Sequence, residues 1–452
     1  MVDPIVIAGG GLAGAFMAAL LAKSGYECLV VEKRSDPRKI TQEGNRSINL
    51  AISVRGLTSL ERVASLESWS PLLIPMYGRS LHQPDGNLTF QPYALTREGE
   101  ARRSIGSISR VDLNKRLIDE AESYGKVKFL FNTSITQVDL DARSLKVSCE
   151  QVESDLSFRA LLGADGTASV VREALVEKTG GSFEAQFLEY GYKELYMPSR
   201  DDGTHAIEKN ALHIWPRYNF MLIGLPNPDG SYTCTLFLPN RGDESFAQLS
   251  SSSAAESFME KHFRDAMDLI PDAGKQLVDN PLGKLGTIKV DPWYYKDRAV
   301  IFGDAAHGIV PFYGQGMNAA LESACMLFDL LEKHNFESFD KVFSKFEEER
   351  QKDAGAIANL AIRNFHEMQD HVADPQFLRE KALLQDIEVQ FADFKTEYSL
   401  VTFSKESYQL AQNEGEAQQI FIRNLLTKYP NVSSAADPVV KREVESYLQG
   451  RN

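Results

Sequence analysis

The sequence has few long hydrophobic runs, and no apolar stretch in its 452 residues reaches about 18, the length a transmembrane helix requires. The first predicted strand begins within a few residues of Met1, which leaves no room for a signal peptide. The C-terminal stretch, residues 445–452, is polar and offers no hydrophobic anchor. These features predict a soluble, cytoplasmic protein without a transmembrane segment.

Cysteine is also scarce, and acidic residues outnumber basic ones. The four cysteines (Cys28, Cys149, Cys234 and Cys325) are too widely spaced for a metal motif or a disulfide framework, so we expect a reducing compartment and no bound metal. The net charge of −14, without a basic run, argues against nucleic acid as a partner. No Ser-His-Asp set, HExxH motif or pair of carboxylates points to a hydrolase.

A glycine-rich loop near the N-terminus has the context of a nucleotide-binding site. Residues 4–8 (PIVIA) predict a buried parallel strand, and GGGLAG at 9–14 follows directly. Residues 15–23 predict a helix. A phosphate would lie at its N-terminus, against the backbone of Leu12 and Ala13, because free N–H groups and the helix dipole favour an anion there.

Four residues in and after this loop have distinct expected tasks. Gly9 allows the tight turn, Gly11 lets the backbone approach a pyrophosphate, and Gly14 allows close packing of helix on strand. Glu32 follows the next predicted strand and is placed to accept hydrogen bonds from an adenosine ribose. Together they predict a bound dinucleotide.

Two later motifs indicate that this dinucleotide is FAD. The apolar strand at 160–163 leads into Asp165 and Gly166, and the strand at 298–302 leads into GDAAH at 303–307. Asp304 is placed to bind the ribityl hydroxyls. The helix that begins near Gly316, with Met317 and Asn318, directs its N-terminus at the N1–C2=O edge of the isoalloxazine. The three motifs together resemble the FAD-binding pattern of the group A flavoprotein aromatic hydroxylases, the para-hydroxybenzoate hydroxylase-like superfamily.

This pattern predicts an α/β fold in which the FAD-binding domain is Rossmann-like and discontinuous. We assign residues 1–75, 104–180 and 282–333 to that domain. The inserted segments, 76–103 and 181–281, are predicted to form a β-rich substrate domain built on an antiparallel sheet, with a hairpin turn at 227–230. Residues 334–452 are predicted to form a helical C-terminal region.

Further runs resemble the kynurenine 3-monooxygenases within this superfamily, and the similarity covers essentially the whole chain. These runs are RSINLAIS at 46–53, YKEL at 192–195, ALHIWP at 211–216, PFYGQGMN at 311–318, NFHEM at 364–368 and YSLVTFS at 398–404. The resemblance implies an enzyme that hydroxylates L-kynurenine to 3-hydroxykynurenine with NADPH and O₂, through a flavin C4a-hydroperoxide, in tryptophan catabolism towards NAD-related metabolites. NADPH is expected to act transiently, because the chain has no second strand–GxGxxG–helix unit.

The resemblance also implies how the substrate's amino-acid end is bound. Arg79 matches the family's carboxylate anchor, Tyr93 its tyrosine partner, and Asn364 and Tyr398 the C-terminal residues that hold the same end. A planar guanidinium suits this task because it binds a carboxylate through two parallel hydrogen bonds. Glu367, three residues after Asn364, shares nearly the same helix face and is a candidate for the ammonium.

The remaining expected residues face the substrate ring and the flavin. Arg110 matches the family's flavin-contacting arginine, and His307 is expected to be structural rather than a general base. An apolar pocket is predicted from Phe237, Met221, Ile223, Leu225 and Phe312. A wall over the flavin is predicted from Pro311, Phe312, Tyr313 and Gln315.

Two alternatives remain open from the sequence alone. The chain could be a group A hydroxylase of another aromatic acid or phenol, or an FAD-binding protein that does not catalyse. A flavin halogenase is disfavoured, because Trp69, Trp215 and Trp293 form no Trp-x-Trp pair. The oligomeric state is left undetermined.

Overall fold

A computed structural model describes residues 3–40, 49–94, 102–370 and 375–450, and these form a mixed α/β structure. Residues 46–48 of the first family run lie outside the described residues. In chain order, the strands are β1 (Ile5–Ala8), β2 (Cys28–Val31), β3 (Asn49–Ile52), β4 (Leu73–Met76), β5 (Gly78–His82), β6 (Leu88–Pro92), β7 (Ile105–Ser109), β8 (Val127–Leu130), β9 (Thr133–Asp139), β10 (Ser144–Cys149), β11 (Val152–Ser157), β12 (Ala160–Gly163), β13 (Ser182–Met197), β14 (Leu212–Arg217), β15 (Phe220–Pro226), β16 (Tyr232–Pro239), β17 (Gly283–Asp291), β18 (Tyr294–Tyr295) and β19 (Ala299–Ile301).

The helices surround and follow these strands. In chain order they are α1 (Leu12–Lys23), α2 (Val54–Glu61), α3 (Leu66–Trp69), α4 (Arg110–Ser123), α5 (Val170–Thr179), α6 (Ser252–His262), α7 (Arg264–Met267), α8 (Ala273–Asp279), α9 (Asp304–His307), α10 (Gly316–Lys333), α11 (Phe339–Asp370), α12 (Pro375–Gln390), α13 (Glu397–Phe403), α14 (Tyr408–Lys428) and α15 (Pro438–Gln449). Short 3₁₀ turns occupy Pro37–Lys39, Ser70–Leu72, Phe246–Gln248 and Pro311–Tyr313. No described helix is both long enough and apolar enough to span a bilayer.

A six-stranded sheet brings the three glycine motifs together. Its strand order is β18-β19-β12-β1-β2-β8, and every pair is parallel except β18 with β19. The strands β1, β12 and β19 are consecutive neighbours, so their carboxyl ends lie at one edge. That edge is where open parallel sheets bind nucleotides, and it places Gly9, Asp165 and Asp304 close to each other.

A seven-stranded sheet, in the order β17-β13-β16-β15-β14-β5-β6, lies across the insertions. The predicted hairpin at 227–230 joins β15 to β16. The observed sheet differs from the predicted antiparallel sheet in two respects. Strand β14 pairs with β5 in parallel, and β17, which lies after residue 281, pairs with β13. Pairing of β17 with β13 thus crosses the predicted boundary between 281 and 282 and continues to Asp291. Helices α6, α7 and α8 also lie within the second inserted segment, residues 181–281.

The C-terminal part is helical from α11 onward, and α11 is 32 residues long. Its first turns bury Phe339, Val342, Phe343 and Phe346 in the core of the six-stranded sheet. Buried Arg55 of α2 contacts the ring of Tyr408 in α14, with 4.0 Å between guanidinium carbon and ring centroid. The C-terminal helices are thus packed on the same body as the sheet.

Candidate active site

One cavity of about 2270 Å³ runs from the carboxyl edge of the six-stranded sheet to the C-terminal helices. The seven-stranded sheet forms another of its sides. Residues from all three glycine motifs and every predicted substrate-contacting residue line it. The fold therefore brings segments from both halves of the chain into one site.

The first glycine loop is packed so that only glycine fits at two positions. Gly9 has φ +94°, and a Cβ there would lie 2.6 Å from the carbonyl oxygen of Ala164. A Cβ at Gly14 would overlap the carbonyl oxygen of Gly9. A Cβ at Gly11 would meet no atom within 4 Å, because Gly11 faces the cavity. The loop thus leaves open space where a ligand would approach its backbone.

The start of α1 fits an anionic group. No side chain of the described residues caps this helix, so the N–H groups of its first turn have no side-chain acceptor. Unpaired N–H groups and the positive end of the helix dipole stabilise phosphate at such a position. Helix α10, which begins at Gly316 on the same cavity, also lacks a side-chain cap.

Glu32 lies at the end of β2, as predicted, and its carboxylate is held by backbone donors. The N–H of Gly10 donates to Oε2 at 2.7 Å, and the N–H of Arg34 donates to Oε1 at 2.8 Å. Each carboxylate oxygen keeps a second lone pair, and the residue faces the cavity. Glu32 is therefore oriented to accept further hydrogen bonds, as ribose hydroxyls require.

Asp304 follows β19 and is exposed to the cavity. Desolvation by the surrounding protein raises the pKa of this carboxyl, and the positive charge of Arg110 opposes the rise. Burial also raises the pKa of Glu194, again opposed by Arg110. The Oε1 atom of Glu194 is buried and has no hydrogen-bond partner among the described residues. The positive charge of Arg110 therefore stabilises the ionised forms of both acids. Their carboxylate oxygens retain the capacity to accept hydrogen bonds from a polyhydroxyl ligand.

Asp165 organises the second motif rather than pointing freely into the cavity. Its Oδ2 accepts a hydrogen bond from the N–H of Val170 at 2.8 Å, which caps the start of α5. Arg172 in that helix donates to the carbonyl oxygens of Thr167, at 2.6 Å, and Ala305, at 3.0 Å. The second motif is thereby bound to the third.

Three residues predicted at the site do not line the cavity: Gly14, Gln315 and Asn318. Asn318 is buried; its Oδ1 accepts from the N–H of Ser53 and its Nδ2 donates to the carbonyl oxygen of Gly314, both at 2.9 Å. Gln315 accepts from the hydroxyl of Tyr408 at 3.1 Å. The side chains of Gln315 and Asn318 thus support the loop from behind, where its turn requires buried polar partners.

Arg79 lies beside Tyr93 and Tyr398, whose rings stack on each other, and all three residues line the cavity. Its guanidinium carbon is 5.3 Å from the ring centroid of Tyr93 and 5.2 Å from that of Tyr398. Burial raises the pKa of both phenols, so each stays a neutral hydrogen-bond donor. The buried hydroxyl of Tyr93 makes no well-formed hydrogen bond with any described residue. One cation and two hydroxyl donors therefore face the space where an anion would bind.

The predicted apolar pocket is present on one face of β15 and β16. Met221, Ile223 and Leu225 alternate along β15, and Phe237 pairs with Met221 on the neighbouring strand. The ring of Phe312 lies 5.3 Å from that of Phe237, centroid to centroid. All five residues line the cavity.

The segment from Pro311 to Tyr313 forms a 3₁₀ turn that ends at Gly314, with φ +66°, just before α10. Asn364 on α11 donates from Nδ2 to the carbonyl oxygen of Phe312 at 2.6 Å. The predicted wall is therefore held in place from the C-terminal region.

Glu367 faces the cavity, but two cations already contact it. Its Oε1 lies 3.8 Å from Nε of Arg363, and its Oε2 lies 3.2 Å from Nζ of Lys381. Arg363 and Lys381 therefore compete with the substrate's ammonium for the contact that was predicted at Glu367. Arg363 and Glu397, which sequence reasoning missed, also line the cavity and form an ion pair. Both adjoin assigned residues, Asn364 and Tyr398, and that adjacency was the available signal.

His307 is buried and hydrogen-bonded away from the cavity, through Nε2 to Oγ of Ser323 at 2.9 Å. Burial lowers its pKa to about 3, and the nearby charge of Arg350 acts in the same direction. The imidazole is thus neutral and enclosed. This location agrees with the expected structural role.

Comparison with known proteins identifies the nucleotide-binding part. The model of a family described as an FAD binding domain matches residues 3–201 and 284–361. Solved structures share the fold: 2-methyl-3-hydroxypyridine-5-carboxylic acid oxygenase has a TM-score of 0.67 at 19% identity, covering 84% of this chain and 96% of that chain. The p-nitrophenol 4-monooxygenase of Pseudomonas putida has a TM-score of 0.65 at 16% identity, covering 95% and 98%.

Curated relatives match over nearly the whole chain. The kynurenine 3-monooxygenase of Cytophaga hutchinsonii is 40% identical over 96% of this chain and 96% of its own length. That of Myxococcus xanthus is 39% identical over 98% and 94%, and that of Dictyostelium discoideum is 38% identical over 94% and 93%. With a matching FAD-binding fold and this level of identity, the chain belongs to the kynurenine 3-monooxygenase family.

Proposed function

We propose that the protein is an FAD-dependent monooxygenase that converts L-kynurenine, NADPH, H⁺ and O₂ into 3-hydroxykynurenine, NADP⁺ and water. The observation that carries this function is the arrangement of Arg79, Tyr93 and Tyr398 in a cavity that Phe237 and Phe312 also line. The glycine motifs line the same cavity. An aromatic amino acid fits this arrangement, with its carboxylate at Arg79 and its ring towards the flavin site.

The residues present fit FAD. The uncapped start of α1 would hold the pyrophosphate, Glu32 the adenosine ribose, and Asp304 with Arg110 the ribityl chain. When bound, FAD accepts a hydride from NADPH and supplies activated oxygen to the substrate. We assign cofactor binding to the segments around the six-stranded sheet and substrate enclosure to the seven-stranded sheet with the C-terminal helices.

Substrate orientation follows from two groups of residues in the pocket, one polar and one apolar. Arg79 would bind the α-carboxylate, and the hydroxyl groups of Tyr93 and Tyr398, kept protonated by burial, would donate to it. Met221 and Phe237 would hold the ring by apolar contact. Arginine favours a carboxylate over a neutral group by charge and by its two-pronged geometry, so the pocket selects an amino acid over a simple aniline.

Activation of the substrate ring requires no side-chain base. The aniline nitrogen of kynurenine donates electron density to the ortho carbon, so no side-chain base has to deprotonate the substrate. His307, the histidine of the third motif, is not placed to act as a base, because it is buried and bonded to Ser323. The protein's contribution is to hold the ring in place and to exclude water with Phe312 and the apolar strand faces.

The test is NADPH oxidation in air by the purified, FAD-loaded protein, with and without L-kynurenine, with products identified by mass spectrometry. We expect fast oxidation only with kynurenine, and a product heavier by one oxygen atom. Stimulated oxidation that yields only hydrogen peroxide would indicate a hydroxylase with another aromatic substrate. No oxidation with flavin bound would indicate an FAD-binding protein without this activity.

A kynurenine analogue that lacks the ring amine tests the account of ring activation. It should bind through its carboxylate and stimulate NADPH oxidation, yet yield peroxide in place of hydroxylated product. Hydroxylation of this analogue at the normal rate would contradict the role of the aniline nitrogen.

A further inference from the structure

A cluster of four polar side chains lies where the wall meets the C-terminal helices. We call it the Glu397 cluster; it consists of Tyr313, Arg363, Glu367 and Glu397. All four line the cavity, and none of them is among the carboxylate-binding residues. They come from three different elements: the wall, α11 and α13.

Glu397 is the centre of this cluster. Its Oε1 accepts a hydrogen bond from the hydroxyl of Tyr313 at 3.3 Å, and its Oε2 forms an ion pair with Nη2 of Arg363. Arg363 in turn lies near Glu367, which also contacts Lys381. The two carboxylates are therefore matched by two cations, which leaves no surplus charge for a ligand ammonium.

Packing around Glu397 restricts its side chain to this position. A Cβ at Gly415 of α14 would overlap Oε2 of Glu397, so the close approach of α14 depends on glycine. Burial raises the pKa of Glu397, and the charge of Arg363 opposes the rise. The carboxylate is thus fixed by sterics on one side and by its partners on the other.

The cluster connects the wall to the carboxylate anchor. Tyr313 follows Phe312, whose carbonyl oxygen accepts from Asn364, the neighbour of Arg363. Tyr398 follows Glu397, and its ring lies 6.1 Å from that of Tyr313 and 5.2 Å from the guanidinium carbon of Arg79. A shift of α13 at Tyr398 would therefore be transmitted through Glu397 to the wall.

We propose that Glu397 is a positioning residue that, through the hydroxyl of Tyr313, holds the wall in place when the substrate's carboxylate is bound at Arg79. The inference rests on the proposed function and deepens it. Its consequence is that Glu397 controls how much of the consumed NADPH ends in hydroxylated product and how much in hydrogen peroxide. Substrate affinity depends instead on Arg79 and the two tyrosines.

The experiment compares four proteins with the unmodified enzyme: Glu397→Gln, Tyr313→Phe, the double variant, and Glu416→Gln as a control at an exposed position of α14. Three quantities are measured for each: product formed per NADPH consumed, peroxide released, and the dissociation constant of L-kynurenine from the change in flavin absorbance. Flavin content and Tm are recorded to detect misfolding. Tyr313→Phe removes a single oxygen atom, so it remains informative if Glu397→Gln does not fold.

Each single variant should lower the product formed per NADPH by roughly threefold to tenfold, the effect of one lost hydrogen bond, with a matching rise in peroxide. The dissociation constant should change by less than about threefold, because Arg79 is intact. In Glu397→Gln the single amide oxygen stays with the cationic Arg363, so the NH₂ group faces Tyr313 and cannot accept from its hydroxyl. Both changes thus remove the same hydrogen bond, and the double variant should be no worse than the more severe single variant. Glu416→Gln should match the unmodified enzyme.

Additive losses in the double variant would overturn the inference, and so would an unchanged product yield in Tyr313→Phe. A loss of kynurenine affinity in Glu397→Gln without a loss of yield would also overturn it, since the residue would then act on binding. A failure of the unmodified enzyme to hydroxylate kynurenine would instead overturn the proposed function, and the two failures are therefore distinct.

Discussion

The guanidinium carbon of Arg79 lies 5.2 Å from the ring centroid of Tyr398, so β5 and α13 meet at the lining of the cavity. Tyr93 stacks on Tyr398 with a centroid distance of 6.0 Å. The cation thus sits among aromatic rings and away from bulk water. Charge-assisted hydrogen bonds are strengthened in such surroundings, which makes this the natural place for a carboxylate.

Replacing Arg79 with Gln should raise the KM for L-kynurenine by roughly tenfold to 150-fold, the effect of losing one charge-assisted hydrogen bond, with a smaller effect on kcat. Steady-state NADPH oxidation measures both constants, with Arg442→Gln on the exposed face of α15 as the control. The decarboxylated analogue of kynurenine supplies a further check. It should bind the unmodified enzyme and the Arg79→Gln variant equally weakly, and a clear difference between them would show that Arg79 does not bind the carboxylate.

Replacing Phe312 with Ala should increase the share of NADPH that ends in hydrogen peroxide. The ring packs on Phe237 and, 4.6 Å away, on Phe365, so its removal opens the wall to water. A peroxidase-coupled assay measures the peroxide, and Ile420→Ala, at an exposed site on α14, is the control. An unchanged peroxide yield would mean that Phe312 does not exclude water from the reaction.

Two glycine substitutions should change stability in opposite directions. Gly14→Ala places a Cβ on the carbonyl oxygen of Gly9 and should lower the free energy of unfolding by roughly 1–3 kcal/mol, with loss of bound FAD. Gly355→Ala, in the middle of α11, meets no atom within 4 Å and should raise it by roughly 0.5–1 kcal/mol. Urea denaturation and flavin absorbance measure both effects. Equal effects would contradict the packing described for the first loop.

His307 should make the protein less stable in acid. Its folded pKa of about 3 lies below its ordinary value, so between about pH 6.5 and 3 the unfolded chain binds a proton that the folded protein does not. Stability from this residue is therefore complete above pH 6.5 and falls as the pH drops, by roughly 2 kcal/mol at pH 5.

His307→Gln isolates this contribution. The difference in unfolding free energy between pH 7.5 and pH 5, measured in urea at a fixed FAD concentration, should shrink by roughly 2 kcal/mol in the variant. Glutamine can still hydrogen-bond Ser323, so the packing changes little. An unchanged difference would mean that another group dominates the acid sensitivity.

Local sequence determined the nucleotide-binding elements. The strand before Gly9, the helix after it, and Glu32 at the end of β2 all lie where the pattern predicts them, because backbone sterics and hydrophobic alternation act over a few residues. The same holds for the hairpin at 227–230 and for the start of α10 at Gly316. Family resemblance supplied Arg79, Tyr93 and Tyr398, which composition or spacing alone would not distinguish from ordinary surface or core residues.

Tertiary structure alone decided how the polar groups are partnered. Glu367 was predicted to meet the substrate's ammonium and Glu397 was not predicted at the site, yet one contacts Lys381 and the other Tyr313, according to how α11, α12 and α13 pack. Asn318 and Gln315 turn away from the cavity because buried backbone and phenol groups need partners there. Hydrogen bonds and ion pairs form between whichever groups the fold brings within about 3 Å, and no local pattern encodes that distance.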